Sequence, residues 1–160
     1  MRLALAQFDA VIGDFDRNVD AILHAASAAA AQGARLLVTP ELAITGYPPR
    51  DLLEHRDFLD AAANAAARLT TQLPPALTVF AGTVEPHDAD GAGLFNTALV
   101  IQGGRIVARA RKALLPNYDV FDEVRYFDPG TEACVVPVDG VPVGVTVCED
   151  LWNDKTFWPR

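Results

Sequence analysis

The chain has 160 residues, of which 51% are hydrophobic and 21% charged, so it fits one packed domain and not a disordered chain. Its net charge of −8 argues against a nucleic-acid partner, because phosphate binding needs clustered Lys and Arg side chains. No stretch approaches the ~20 apolar residues that cross a bilayer, and residues 2–8 meet Asp9 before they form the apolar core of a secretory signal. We therefore expect a cytoplasmic protein with no membrane contact.

Two cysteines and three histidines limit the chemistry further. Cys134 and Cys148 are too few for a disulfide framework, and reduced thiols are the expectation in the cytosol. His24, His55 and His87 lie roughly thirty residues apart and show no metal-ligand spacing. We expect no metal in this chain.

The first half of the chain alternates between strand and helix patterns. Residues 2–8 predict a strand, and Asp16 can cap the helix that follows, which ends before Gly33. A second strand is predicted over residues 34–39 and an alanine-rich helix over residues 56–71.

The second half reads mostly as strands. They are predicted over residues 77–84, 96–101, 105–109, 135–138 and 141–147. Gly103 and Gly104 indicate a hairpin, and the last strand is apolar on both faces, which is typical of a buried strand. This order favours an α/β fold with helices layered on a mixed sheet, and the one candidate break is a surface turn near Asp90.

Three reactive residues follow predicted strands. Glu41 comes after the second strand, Lys112 after the hairpin and Cys148 after the last strand. If those strands are neighbours, their ends meet at one pocket, where Glu41 can take the thiol proton and the lysine charge can stabilise an oxyanion. The backbone N–H of Glu149 is a second candidate oxyanion donor.

Each of the three residues also has an ordinary structural interpretation. Glu41 fits a solvated loop residue or a helix cap, and Lys112 fits a basic surface strand. A free cysteine such as Cys148 is more often a small buried hydrophobe than a nucleophile.

Three longer motifs resemble the nitrilase, or carbon–nitrogen hydrolase, superfamily. They are a glutamate motif containing Thr-Pro-Glu-Leu and Gly-Tyr-Pro-Pro (39–53), a lysine motif beginning Lys-Ala-Leu-Leu-Pro-Asn-Tyr (112–127) and a cysteine motif, Gly-Val-Thr-Val-Cys-Glu-Asp-Leu-Trp (144–152). The residues of these motifs are most similar to those in the glutaminase domains of glutamine-dependent NAD⁺ synthetases.

The resemblance implies an α/β fold, the αββα sandwich of the nitrilase superfamily, truncated after the nucleophile strand. It implies that Glu41 is the general base, Lys112 the stabiliser of the intermediate and Cys148 the nucleophile that forms a thioester with glutamine and releases ammonia. Glu123 resembles an auxiliary glutamate that orients the lysine, and Tyr118 resembles a tyrosine of the substrate pocket.

Glu149, directly after the nucleophile, is a further candidate for substrate binding or an auxiliary role. The alternative for Glu123 is a loop salt bridge with Arg125, and for Tyr118 a packed loop aromatic.

The resemblance also predicts what the chain lacks. Residues 1–160 correspond to the N-terminal part of the hydrolase domain, without its C-terminal remainder or the synthetase domain. L-glutamine is the expected substrate, whereas deamido-NAD, ATP and Mg²⁺ belong to the missing domain, and the full-length protein is expected to be a homo-oligomer. Trp152 and Trp158 in the tail fit this interpretation, because large aromatic side chains favour burial.

Two other functions stay open. The chain fits a stand-alone nitrilase-like amidase, or an inactive half-domain that pairs with partners through an exposed sheet face. A dinucleotide-binding domain is excluded, because no G-x-G-x-x-G follows the first strand.

Overall fold

A five-stranded mixed sheet forms the centre of the computed structural model, which describes residues 1–88 and 92–152. Its strands, in spatial order, are β1 (Leu3–Leu5), β2 (Leu36–Val38), β3 (Thr78–Pro86), β4 (Leu94–Gln102) and β5 (Arg105–Arg111). The first three strands are parallel, and β4 is antiparallel to both β3 and β5. The C-terminal ends of β2, β3 and β5 therefore lie at the same edge of the sheet. The turn near Asp90 and Trp158 fall outside the described residues.

Two helices cover one face of this sheet: α1 (Phe15–Ala31) and α2 (Arg56–Gln72). Fully buried alanines on these helices, Ala26 and Ala62, allow close packing. The prediction that Asp16 caps α1 is wrong, since the side chain of Asp14 accepts the hydrogen bond from the backbone N–H of Arg17. The helix begins at Phe15, two residues earlier than a cap at Asp16 would allow, which places Asp16 inside its first turn.

A hairpin of β6 (Cys134–Val138) and β7 (Val141–Val145) packs on the opposite face of the sheet. Val136 and Val138 lie against Leu36, Phe80 and Val100 of the large sheet. The layers follow the order helix, sheet, sheet, so the predicted α/β class and the sandwich arrangement are confirmed.

The last strand differs from its prediction in burial and length. Val143 and Val145 are partly buried against the large sheet, whereas Pro142 and Gly144 on the other face are exposed, so the strand is not buried on both faces. Within the described residues no layer covers the outer side of the hairpin, where Val135 is 63% exposed. The strand ends at Val145, and Cys148 begins a short 3₁₀ turn, residues 148–152, instead of closing the strand.

The edge strand β1 is covered on one face only. Ala4 and Ala6 point toward the helices and join their apolar cluster, whereas Leu3 and Leu5 are 49% and 67% exposed on the opposite face. The hairpin packs on β2, β3 and β4 and leaves these leucines uncovered. No described helix is long and apolar enough to cross a membrane.

Candidate active site

Lys112 is the centre of a buried ionic cluster. Its Nζ lies 2.7 Å from Oε1 of Glu41 and 2.8 Å from Oε2 of Glu123, and its side chain is 0% exposed. The surface-strand interpretation of this lysine is therefore wrong. β2 and β5 are separated in the sheet by two strands, but both end at the same edge, and the length of the lysine side chain spans the gap.

The two carboxylates keep Lys112 charged. Burial acts to lower the pKa of its ammonium group, but the charges and hydrogen bonds of Glu41 and Glu123 outweigh burial and raise that pKa above its ordinary value. Burial also raises the pKa of Glu123, and the nearby Lys112 opposes this rise. Lys112 is thus a fixed cation, suited to charge stabilisation and not to proton abstraction.

Glu123 does not form the loop salt bridge that its sequence neighbourhood allowed. Arg125 lies instead near Asp51 and Glu54, at 3.4 Å and 3.7 Å. The carboxylate of Glu123 points inward, to Lys112 and to the hydroxyl of Tyr47, which donates a 3.0 Å hydrogen bond to it.

Asn96 holds the other carboxylate, and its role was missed in the sequence. Its Nδ2 donates a 2.7 Å hydrogen bond to Oε1 of Glu41, the same oxygen that Lys112 contacts. The backbone carbonyl of Asn96 also accepts a hydrogen bond from the backbone N–H of Lys112 at 2.8 Å. Two donors thus share Oε1 of this carboxylate. An asparagine within the largely apolar strand Leu-Phe-Asn-Thr-Ala-Leu was the sequence feature that could have indicated this role.

Cys148 lies in a tight turn beside the same cluster. Its φ of 45° is in the left-handed region that residues other than glycine seldom adopt. Together with Glu41, Thr39 and Thr97 it lines a cavity of about 370 Å³ between the two sheets. The residue is exposed overall, yet the protein around the thiol still desolvates it in part.

The thiol of Cys148 needs a base. Partial burial raises its pKa to about 11, the charge of Glu41 adds to this rise, and Lys112 opposes it. The thiol is therefore protonated at neutral pH, and the adjacent Glu41 carboxylate is placed to take its proton.

A second carboxylate lies next to the nucleophile. Glu149 is largely buried, and both of its oxygens accept from the hydroxyl of Tyr118, at 3.1 Å and 2.9 Å. This hydrogen bond raises the pKa of the Tyr118 hydroxyl. Tyr118 itself is 52% exposed. Tyr118 and Glu149 thus form a polar pair at the open side of the site.

Asp150 is another residue that the sequence did not single out. Its Oδ1 accepts from the backbone N–H groups of Ala113 and Leu114, and its Oδ2 accepts from that of Val147. Among residues 1–88 and 92–152, no group of three His, Cys, Asp or Glu side chains could hold a metal ion.

Five of the six residues predicted for the site form two hydrogen-bonded groups, Glu41, Lys112 and Glu123 in one and Tyr118 and Glu149 in the other. The sixth, Cys148, lines a cavity with Glu41 and directly precedes Glu149. The model for carbon–nitrogen hydrolases matches residues 2–157 of the chain. The chain belongs to the carbon–nitrogen hydrolase family.

Relatives within this family are longer than the chain. A glutamine-dependent NAD(+) synthetase from Synechocystis is 44% identical over 160 residues, and the match covers 98% of this chain but 29% of the synthetase. The chain thus spans less than a third of that relative.

Solved structures show the same fold. The glutamine-dependent NAD⁺ synthetase of Acinetobacter baumannii superposes with a TM-score of 0.87 at 35% identity, covering 98% of this chain and 29% of that protein. An amidase from Nesterenkonia superposes with a TM-score of 0.78 at 28% identity, covering 94% and 58%. The amidase structure shows the product of Michael addition of acrylamide at its active-site cysteine.

Proposed function

We propose that this chain carries the glutaminase chemistry of a glutamine-dependent NAD⁺ synthetase. The observation that supports this most directly is the buried Lys112, held between Glu41 and Glu123 beside the cavity that Cys148 lines. The synthetases among its relatives support glutamine as the amide donor.

In the proposed first step, the thiol proton of Cys148 passes to Oε2 of Glu41 and the sulfur attacks the side-chain amide carbon of glutamine. The developing oxyanion lies near the ammonium of Lys112 and the backbone N–H of Glu149. Glu41 then returns the proton to the leaving nitrogen, the carbon–nitrogen bond breaks, and ammonia leaves a thioester on Cys148.

In the second step, Glu41 takes a proton from water, which attacks the thioester. The carbon–sulfur bond breaks, glutamate forms, and the sulfur recovers the proton from Glu41. Glu123 keeps the ammonium group of Lys112 oriented through both steps.

The pair formed by Tyr118 and Glu149 is our candidate for binding the α-ammonium group of glutamine. A largely buried carboxylate beside the nucleophile attracts a cation, and the tyrosine hydroxyl fixes its orientation. The negative charge of Glu149 thereby favours an amino-acid amide over a simple aliphatic amide.

The released ammonia would be used in the ATP-dependent conversion of deamido-NAD to NAD by a synthetase domain of the full-length gene product. Residues 1–160 would then be the N-terminal part of its hydrolase domain, with ATP and Mg²⁺ bound in the synthetase domain. We expect that protein to be cytoplasmic and homo-oligomeric.

A stand-alone amidase is the second candidate, because the Nesterenkonia amidase shares the fold at 28% identity. Steady-state rates of ammonia release from glutamine, propionamide and butyramide distinguish the two functions. A glutaminase prefers glutamine by orders of magnitude, whereas an aliphatic amidase prefers the simple amides.

Intact-mass analysis with the glutamine mimic diazo-oxo-norleucine tests the nucleophile in the full-length gene product. We expect one adduct, on Cys148, and none in a Cys148→Ala variant, which should also lose glutaminase turnover by roughly 10⁴-fold or more. Cys134→Ala is the matched control, because this cysteine lies on β6 away from the ionic cluster. Labelling of Cys134 alone, or turnover retained without Cys148, would contradict the proposal.

A further inference from the structure

Asp150 joins the segments that carry the lysine and the cysteine. Its Oδ1 accepts hydrogen bonds of 2.9 Å and 2.8 Å from the backbone N–H groups of Ala113 and Leu114, the two residues directly after Lys112. Its Oδ2 accepts a 3.1 Å hydrogen bond from Val147, the residue directly before Cys148. One carboxylate thus fixes backbone on both sides of the site.

The same residue closes the turn of the nucleophile. The backbone N–H of Asp150 donates to the carbonyl of Val147 at 3.1 Å, while its side chain accepts from the N–H of Val147. Cys148 and Glu149 are enclosed between these two hydrogen bonds. Because Cys148 has a φ of 45°, an unfavourable conformation for its side chain, the turn needs such external constraints to persist.

A neutral residue would not replace this carboxylate. An ionised carboxylate has acceptor sites on both oxygens, whereas the amide of asparagine has one acceptor oxygen and one donor nitrogen. Hydrogen bonds from backbone N–H groups to a charged acceptor are also stronger than those to a neutral one. The three N–H groups around Asp150 therefore match an aspartate specifically.

We propose that Asp150 is a positioning residue that sets the separation of Lys112 and Cys148 and holds the nucleophile turn in its reactive conformation. It acts through the backbone N–H groups of Ala113, Leu114 and Val147. The role of Asp150 in catalysis rests on the proposed glutaminase function. The effect of Asp150 on the reactivity of the Cys148 thiol does not depend on that function.

The test compares Asp150→Ala and Asp150→Asn in the full-length gene product. Asp60→Asn is the control, because Asp60 is 63% exposed and pairs with a surface arginine. A misplacement of about 1 Å at a catalytic site costs on the order of 10²-fold in rate. We expect kcat to fall by about that factor in Asp150→Ala. The kcat of Asp150→Asn should fall less, because the amide oxygen of asparagine can still accept hydrogen bonds from Ala113 and Leu114.

Alkylation of Cys148 by iodoacetamide is the readout that does not need glutamine. Opening the turn removes the remaining protein contacts that partly desolvate the thiol, so alkylation at pH 8 should become faster in Asp150→Ala while turnover becomes slower. Thermal unfolding of each variant shows whether the protein is folded at the assay temperature. If the alanine variant is unfolded, the rates of Asp150→Asn decide whether Asp150 is a positioning residue.

The proposal is overturned if kcat and the alkylation rate of the folded variants both stay within threefold of the wild type. It is also overturned if the fall in kcat and the rise in alkylation only match the fraction of unfolded protein. A wild-type protein without glutaminase activity would contradict the proposed function, and the alkylation rates would still decide the role of Asp150.

Discussion

Glu41 is the residue on which the other reactive groups depend. Its Oε1 is occupied by Lys112 and Asn96, and its charge contributes to the raised pKa of the Cys148 thiol. In the proposed mechanism one carboxylate thus helps to keep the thiol protonated at rest and takes its proton when substrate is present. This dual effect predicts that removing the charge changes thiol reactivity and turnover in opposite directions.

We predict this opposite response for Glu41→Gln. Loss of the negative charge lowers the pKa of Cys148 from about 11, so at any pH below that value more thiolate is present and iodoacetamide reacts faster. Glutaminase turnover should fall at least about 10²-fold, because general base catalysis is lost.

The measurement is the alkylation rate of Cys148 against pH, together with kcat at pH 7.5. Glu54→Gln is the control, since that carboxylate is 63% exposed and pairs with a surface arginine. An alkylation curve that keeps its midpoint or moves to higher pH would contradict the assigned effect of Glu41.

The sequence was sufficient to predict that Glu41, Lys112 and Cys148 meet, because each follows a strand and the motif order resembles that of a known family. Asn96 and Asp150 were not predicted. An asparagine within a strand and an aspartate after the nucleophile become informative only when the strands are placed side by side, since their partners are 55 and 37 residues away in the chain.

Helices and strands were predicted well in type and less well at their ends. The end of α1 was marked by Gly33, whose φ of 75° favours glycine, whereas its start was assigned to the wrong aspartate. Two aspartates flank the helix start, and only the backbone conformation shows which of them precedes the first turn.

The two aspartates are therefore predicted to differ in their effects on stability. Asp14→Ala should lower the free energy of unfolding by about 1 kcal/mol, the ordinary value of an N-cap, because the N–H of Arg17 loses its acceptor. Asp16→Ala should cost about half as much or less, since it removes only a carboxylate near the helix dipole and an exposed 3.9 Å ion pair. Urea unfolding followed by circular dichroism measures both; a larger loss for Asp16→Ala would contradict the cap assignment.

At the scale of the whole molecule, the second sheet covers only part of the first. The α/β class was predicted from the order of strands and helices, and an exposed sheet face was predicted for a chain that holds only half of the domain. Which strand would be uncovered was not predictable, because that depends on where the β6–β7 hairpin docks. The hairpin packs on Leu36, Phe80 and Val100, and β1 lies beyond it.

We predict that the 160-residue chain binds the apolar dye ANS through this uncovered edge. Leu3 and Leu5 are about half or more exposed on the same face of β1. Replacing both with threonine, which keeps strand propensity, should reduce the fluorescence of bound dye and the light scattering of concentrated samples. Leu52→Thr is the control, because Leu52 is 40% exposed in a separate 3₁₀ turn, residues 50–54. An equal reduction there would contradict the assignment.

The single ammonium between two carboxylates has a consequence for the end of the proposed reaction. With both carboxylates ionised, the cluster of Lys112, Glu41 and Glu123 carries one excess negative charge. Glutamine brings a neutral amide to this position, but glutamate brings a new anion, which the cluster repels in a partly dehydrated space. The charge distribution that prepares the site for attack therefore also expels the acid product, so glutamate should be a weak inhibitor at neutral pH.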